Sequence, residues 1–210
     1  MTLLDDPTPP APSGPAPEPS PAGSTPIRAP RTDRLAGIAV IVATVLTGLF
    51  AGFFLTYSAS VVLGLAQVDD LTYVRSFQAI NATIRNATFA VFFFGCVPSI
   101  LWALVANRAG GRTNITLLAF ALTACAAVVV ITFAGSVPLN DDLATYVDLD
   151  AASAAAERGD FESTWNRLNL VRSVLAVAGL VAVASVRSAR PDRSVASTPG
   201  RRGGSQPSRR

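Results

Sequence analysis

The chain has 210 residues, 50% of them hydrophobic and 15% charged, with a formal net charge of +3 and no histidine. Its apolar residues gather in long blocks separated by short polar stretches, the pattern of a polytopic membrane protein rather than of a soluble core. Without histidine, His-ligated haem and the usual His-containing iron and zinc sites are excluded, so no cofactor is expected.

Residues 1–34 hold ten of the fifteen prolines. They carry Asp5 and Asp6 where a signal peptide would be basic, and they have no apolar run. This segment reads as a disordered cytoplasmic tail, with too few apolar groups to offset the entropy of ordering it. Leu35 to Leu65 is the first span, about 31 residues or roughly 46 Å of helix, and so must tilt or protrude. Its Thr44, Thr47, Gly48, Ala51 and Ser58 offer a small face to a neighbouring helix. The Gly48 and Gly52 pair fits a small-xxx-small contact, within the chain or between copies of a homo-oligomer. Asp69 or Asp70 caps a helix that continues to Arg85. On it, Tyr73, Phe77, Ile80 and Ile84 form an apolar stripe with Gln78, Asn81 and Arg85 along one flank. This amphipathic helix is expected to lie along the outer interface or to extend the second span outward.

Ala87 to Ala106, with Pro98 inside, is the second span, and the charge-free segment Ile115 to Val137 is the third. Cys96 and Cys125 fall near their middles and read as small apolar packing residues. Pro138 is expected to end the third span, with Asn140 in the turn that follows. An Ala-rich helix is predicted from Ala151 to Arg158, closed by Gly159, with Asp160 as the N-cap of the last helix and Glu162 in its first turn. That last helix runs from Phe161 to about Val186. Residues 187–210, rich in Gly, Ser, Pro and Arg, form a second disordered tail. Its scattered charges suit an anionic membrane lipid surface better than a nucleic acid, so no nucleic-acid partner is expected. Arginines flank both tails and the loop holding Arg108 and Arg112, while the other connections are acidic. The positive-inside rule then predicts a multi-pass protein of the plasma membrane with both termini cytoplasmic. The fold expected is all-α: an antiparallel four-helix transmembrane bundle over residues 35–186 with an extra outer amphipathic helix.

The apolar end of the last helix, Ser173 to Val186, would rise only about 21 Å against a hydrocarbon core of roughly 30 Å. Spanning therefore draws Arg172 and Asn169 into or against the bilayer, and an ionisable group placed there is a functional-site candidate. Trp165, Asn169, Arg172, Ala176, Gly179 and Val183 share one helix face. The small residues on it imply close packing, so the guanidinium is expected to point into the bundle. Arg172 and Asn169 are the candidate catalytic residues. Trp165, Asn81, Gln78, Asn140 and Arg85 are the candidate ligand-binding residues, because a desolvated guanidinium needs acceptors and amides supply them. Each has a plainer role: Arg172 snorkelling outward, Trp165 in an interfacial aromatic belt, Arg85 as a surface anchor.

The chain resembles the family of small integral membrane proteins that includes the anthrone oxygenases. The resemblance covers about Leu35 to Val186. It rests on a first span ending in small and hydroxyl residues, on Phe77-Gln78-Ala79-Ile80-Asn81, on Pro138-Leu139-Asn140, and on Trp165-Asn166-Arg167-Leu168-Asn169-Leu170-Val171-Arg172. It implies an oxygenation in which an anthrone becomes an anthraquinone. One expectation is thus a cofactor-independent oxygenase of a lipophilic polycyclic phenol. Arg172, with Asn169 and Asn81, would stabilise an enolate oxygen, Trp165 would stack on the ring, and Asp141 or Asp142 would be the nearest base. The other is a non-catalytic membrane protein that binds a lipid or small metabolite, or assists a partner complex; it needs only the same pocket. A transporter has little support, since one charge lies well inside the apolar blocks and no inverted repeat is evident.

Overall fold

The computed structural model describes residues 30–186, with side chains from residue 33 onward; the greater part of both expected tails, residues 1–29 and 187–210, lies outside the described residues. The first helix, α1 (Pro30–Thr56), begins ahead of Leu35, and Pro30 sits at its first position, where a missing N–H costs nothing. A π turn, Tyr57–Val61, leads into the short α2 (Val62–Leu65). Next come α3 (Asp70–Ile84), α4 (Ala87–Ala106) and α5 (Arg112–Ile131), then a second π turn, Thr132–Ser136, that runs into α6 (Val137–Leu143). The chain closes with α7 (Ala151–Ala184). No strand occurs among the described residues.

Four rods, Asp33–Leu65, Ala87–Ala106, Arg112–Leu143 and Ala151–Ala184, are long and apolar enough to cross a membrane. They close into a ring in which α1 packs against α4 and α7, and α5 packs against α7 and α4. Inside lie Phe50, Phe54, Phe93, Cys96, Ile100, Leu118, Cys125 and Val128, all buried. Outside, Ile41, Val91, Leu101, Phe120, Val130, Val174 and Val181 are exposed, an apolar belt whose natural solvent is lipid. Small residues set the closest approach. A Cβ at Gly179 would stand 2.8 Å from Cys125 Sγ, so α5 and α7 meet there without room for a side chain. Gly48 faces Leu180 of α7 within the same chain, and a Cβ at Gly52 would meet nothing within 4 Å.

The α3 end of the bundle carries a second core. Asp69, not Asp70, caps α3 by accepting from Thr72 N at 3.0 Å and Thr72 Oγ1 at 2.7 Å. The helix buries Tyr73, Val74 and Phe77 against Leu143, Phe161 and Trp165. Its apolar stripe is thus covered by α6 and α7 rather than by the membrane interface. The backbone turns at Arg85 and Asn86, and Asn86 Oδ1 caps α4 by accepting from Phe89 N at 3.0 Å, so α3 does not continue into the second span.

Two expected breaks are absent. Pro138 does not end the third span, because the π turn just before it widens the hydrogen-bond ladder where the ring and missing N–H would otherwise conflict with the preceding turn. Gly159 and Asp160 lie inside α7, which is a single helix capped by Asp150 through Ser153 N at 2.8 Å. Arg158 bridges the glycine: its Nε donates to Glu162 at 2.8 Å, its Nη1 donates to Asp70 and to Val68 O at 3.0 Å each, and its guanidinium lies 4.4 Å from the Tyr73 ring centre. Those contacts, with Ala154 and Phe161 buried on either side, outweigh the roughly 1 kcal/mol that glycine costs in a helix interior.

Candidate functional site

The predicted face of α7 is the buried one: Trp165, Asn169, Arg172, Ala176, Gly179 and Val183 all point inward. Arg172 is only 4% exposed. Its Nη2 donates to Asn169 Oδ1, one turn back, at 3.2 Å, and its Nη1 donates to Thr132 Oγ1 at 3.4 Å. The guanidinium carbon lies 4.9 Å from the Phe54 ring centre and 5.3 Å from that of Trp165, within cation–π range of both. Nε has no partner. Arg172 therefore does not snorkel to the surface; it is held among aromatic rings and neutral acceptors.

The first π turn explains how Asn169 is fixed. A π turn directs an amide one residue further back than in an α-helix, here Val62 N to Tyr57 O, and frees carbonyls beside it for side chains. Phe54 O, just upstream, accepts from Ser173 Oγ at 2.9 Å and from Asn169 Nδ2 at 3.3 Å. Asn169 Nδ2 also donates to Ser58 Oγ at 2.8 Å, and Ser58 Oγ lies 2.9 Å from Ser173 Oγ. With its amide nitrogen spent on α1 and its neighbours, Asn169 must turn its oxygen to Arg172.

These groups stand in the wall of a cavity of about 470 Å³. Helix α1 contributes Phe53 and Phe54, the first π turn Tyr57, and α4 Phe89, Ala90, Phe93 and Phe94. The second π turn adds Thr132, Phe133 and Ser136, α6 adds Asn140, and α7 adds Trp165, Asn169 and Arg172. Asn81, Ile84, Arg85 and Asn86 close the α3 end. Phe94 and Phe133 are exposed at its rim. Among the described residues, no carboxylate lines it.

Six of the seven sequence-predicted residues meet at this cavity. Trp165 lines it, but its ring is also packed against Tyr57, Phe77 and Phe161, and its Nε1 donates to Asn140 Oδ1 at 2.9 Å. Asn140 thus positions the indole. Asn81 lines the wall with Nδ2 unpaired. Arg85 is a rim residue, its side chain 62% exposed and ion-paired with Asp141 of α6 across the gap between the α3–α4 connection and α6. Gln78 lies outside the lining: its Nε2 donates to Leu143 O at 2.7 Å and Tyr146 O at 2.9 Å, closing the end of α6. Asp141 and Asp142 are exposed and neither lines the cavity, so neither is placed as a base. Tyr57, Thr132 and Ser136 also line the cavity and are not among the residues expected from the sequence. The one signal available was the spacing of Thr132 and Ser136, two hydroxyl residues four apart at the end of a charge-free apolar run that also holds Thr116 and Thr123.

Fold and site together define a polytopic membrane protein with an aromatic-walled cavity around a buried arginine. The family model described as anthrone oxygenase matches residues 73–182, more than half of the chain, and the chain belongs to that family. The match takes in most of α3, all of α4 to α6 and nearly all of α7; Phe54 and Ser58, which hold Asn169, precede it. Comparison with curated proteins and with solved structures finds no match.

Proposed function

We propose that this protein is a cofactor-independent oxygenase that takes a lipophilic polycyclic phenol from the bilayer, with Arg172 holding the enolate oxygen of the substrate. The observation that carries this is a buried guanidinium with an unpaired Nε–H in a cavity wall without carboxylates. A cation removed from water without a counterion favours an anionic guest, because the pair recovers part of the lost hydration. The cavity volume of 470 Å³ falls within the rough 300–1,000 Å³ range of small-molecule sites, and its walls are mostly aromatic.

Family membership suggests the reaction. Loss of a proton from the activated methylene of an anthrone gives an enolate, whose oxygen faces Arg172 and, beside it, Asn169. The enolate releases an electron to dioxygen, recombination forms a carbon–peroxide bond, and the peroxide anion takes back a proton to give the hydroperoxide. Loss of water from the hydroperoxide leaves the second carbonyl, so one oxygen atom enters the quinone and the other leaves as water. The arginine lowers the energy of the first step by stabilising charge as it develops on oxygen. With no carboxylate among the described lining residues, the proton is assigned to solvent water. The arginine distribution supports a topology with both termini cytoplasmic and the α3 end on the far side of the plasma membrane.

Purified protein in detergent, supplied with anthrone and oxygen, is expected to form anthraquinone faster than the uncatalysed background, followed by absorbance. No excess rate with several such phenols removes the catalytic proposal. The exposed phenyl rings of Phe94 and Phe133 at the rim also suit an acyl chain. Lipid binding without turnover is therefore the second reading, supported by lipid that copurifies and no quinone formation.

A further inference from the structure

We propose that Ser136 and Asn81 are ligand-contact residues of this cavity: Ser136 shares the ionised oxygen with Arg172, and Asn81 donates to a second oxygen at the α3 end of the same ligand. The inference rests on the cavity being the substrate site proposed above, and it names two contacts that site would use.

Ser136 is 1% exposed, lines the cavity, and its Oγ has no partner. That is unusual for a helical hydroxyl. Thr44, Thr83, Thr116, Thr123 and Thr132 each donate to the carbonyl four residues back. For Ser136 that carbonyl belongs to Thr132; it accepts from Val137 N across the π turn, and Ser136 Oγ makes no bond to it. The hydroxyl is left with an unused proton in the cavity wall. It stands four residues beyond Thr132, whose own proton goes to Val128 O and whose oxygen accepts from Arg172 Nη1. Ser136 Oγ–H and Arg172 Nε–H are therefore two unspent donors on adjoining parts of one wall.

Asn81 supplies the third. Its Nδ2 is buried and unpaired, and it lines the cavity from α3, a different element from those that carry Ser136 and Arg172. Buried donors without acceptors are costly, and three of them facing one cavity fit a guest that brings the acceptors. The ligand so described has an anionic oxygen at one end of an aromatic body and a neutral acceptor at the other.

The test uses naphthalene, 2-naphthol and 2,6-dihydroxynaphthalene as probes of zero, one and two oxygens, titrated calorimetrically into the full chain in detergent. Wild-type protein is expected to bind them in that order of increasing affinity. Ser136→Ala should weaken both hydroxylated probes by about tenfold or more and leave naphthalene unchanged, while Ser136→Thr, which keeps the hydroxyl, retains most of the affinity. Asn81→Leu should weaken only 2,6-dihydroxynaphthalene, by about 2- to 10-fold. Because neither group has a partner to lose, melting temperatures should stay near wild type. If the wild type prefers hydroxylated probes and both variants bind them unchanged, the cavity remains an oxyanion site and this proposal is overturned. If the wild type binds naphthalene and 2-naphthol equally, the anion site itself fails and takes the two contacts with it.

Discussion

Arg172→Met removes the guanidinium while keeping most of the side-chain volume. The structure lets the two sides of that change be weighed. Lost are two hydrogen bonds at 3.2 and 3.4 Å, both on the long side, and two ring contacts at 4.9 and 5.3 Å. At about 1 kcal/mol for each hydrogen bond and 0.5–1 for each ring contact, that is roughly 3–4 kcal/mol. Asn169 Oδ1, left without its donor, adds about 1–3 kcal/mol. Against this stands the cost of burying a cation with no carboxylate beside it, several kcal/mol, which the variant no longer carries. Stability is therefore expected to move by no more than about 2 kcal/mol in either direction. Quinone formation should fall by about 10²–10³, as when an oxyanion donor is removed. Thermal melts in detergent and turnover per folded molecule measure the two quantities separately. A variant that inserts poorly or unfolds readily, yet turns over within about threefold of wild type per folded molecule, would refute the reasoning and make Arg172 an anchor.

Two further predictions concern the frame that holds the site. Gly179→Ala would place a Cβ 2.8 Å from Cys125 Sγ and 3.7 Å from Ala121 O, forcing α5 and α7 apart, and should cost about 1–3 kcal/mol in a thermal melt. Adding Cys125→Ala removes the clashing sulfur and should restore much of that loss; strictly additive effects would show that the helices do not meet there. At the start of α7, hydrogen bonds from the Ser153 backbone N–H and then the Ser153 hydroxyl hold the Asp150 carboxyl below its ordinary range. The cap therefore contributes fully above the unfolded value of about 4 and is lost as pH falls through the lower folded value. The protection factor of the Ser153 amide, its exchange rate relative to an unprotected amide at the same pH, should hold from neutral pH down to that range and fall below it, and Asp150→Ala should abolish the dependence. Loss of protection already near neutral pH would contradict the cap.

The inward face of α7 was legible because two local facts coincide: an apolar run too short to cross a bilayer, and polar residues recurring at steps of three and four ahead of it. Residues so spaced share a helix face wherever the helix packs. The same logic misplaced Gln78, which shares a flank with Asn81 and Arg85 on α3 but meets the carboxyl end of α6, where two free carbonyls outcompete the cavity for its amide. It also missed Ser136, since a π turn inserts a residue and rotates everything beyond it out of the α-helical register. Gly159 and Pro138 look like helix breakers to any local rule. One is bridged by Arg158 reaching to Asp70, a residue far away in the chain, and the other is relieved by the π turn before it.

Class and span number are properties of single stretches of chain, because the bilayer compares each apolar run with one fixed thickness. For that reason the sequence alone determined a four-span helical membrane protein with an arginine turned inward. Whether a polar group is satisfied depends on donors and acceptors from separate helices meeting at about 3 Å. Only the packed structure, with both π turns in place, decided that Asn169 spends its nitrogen on α1, that Asn140 takes the indole of Trp165, and that Asn81, Ser136 and Arg172 face one cavity with donors unspent.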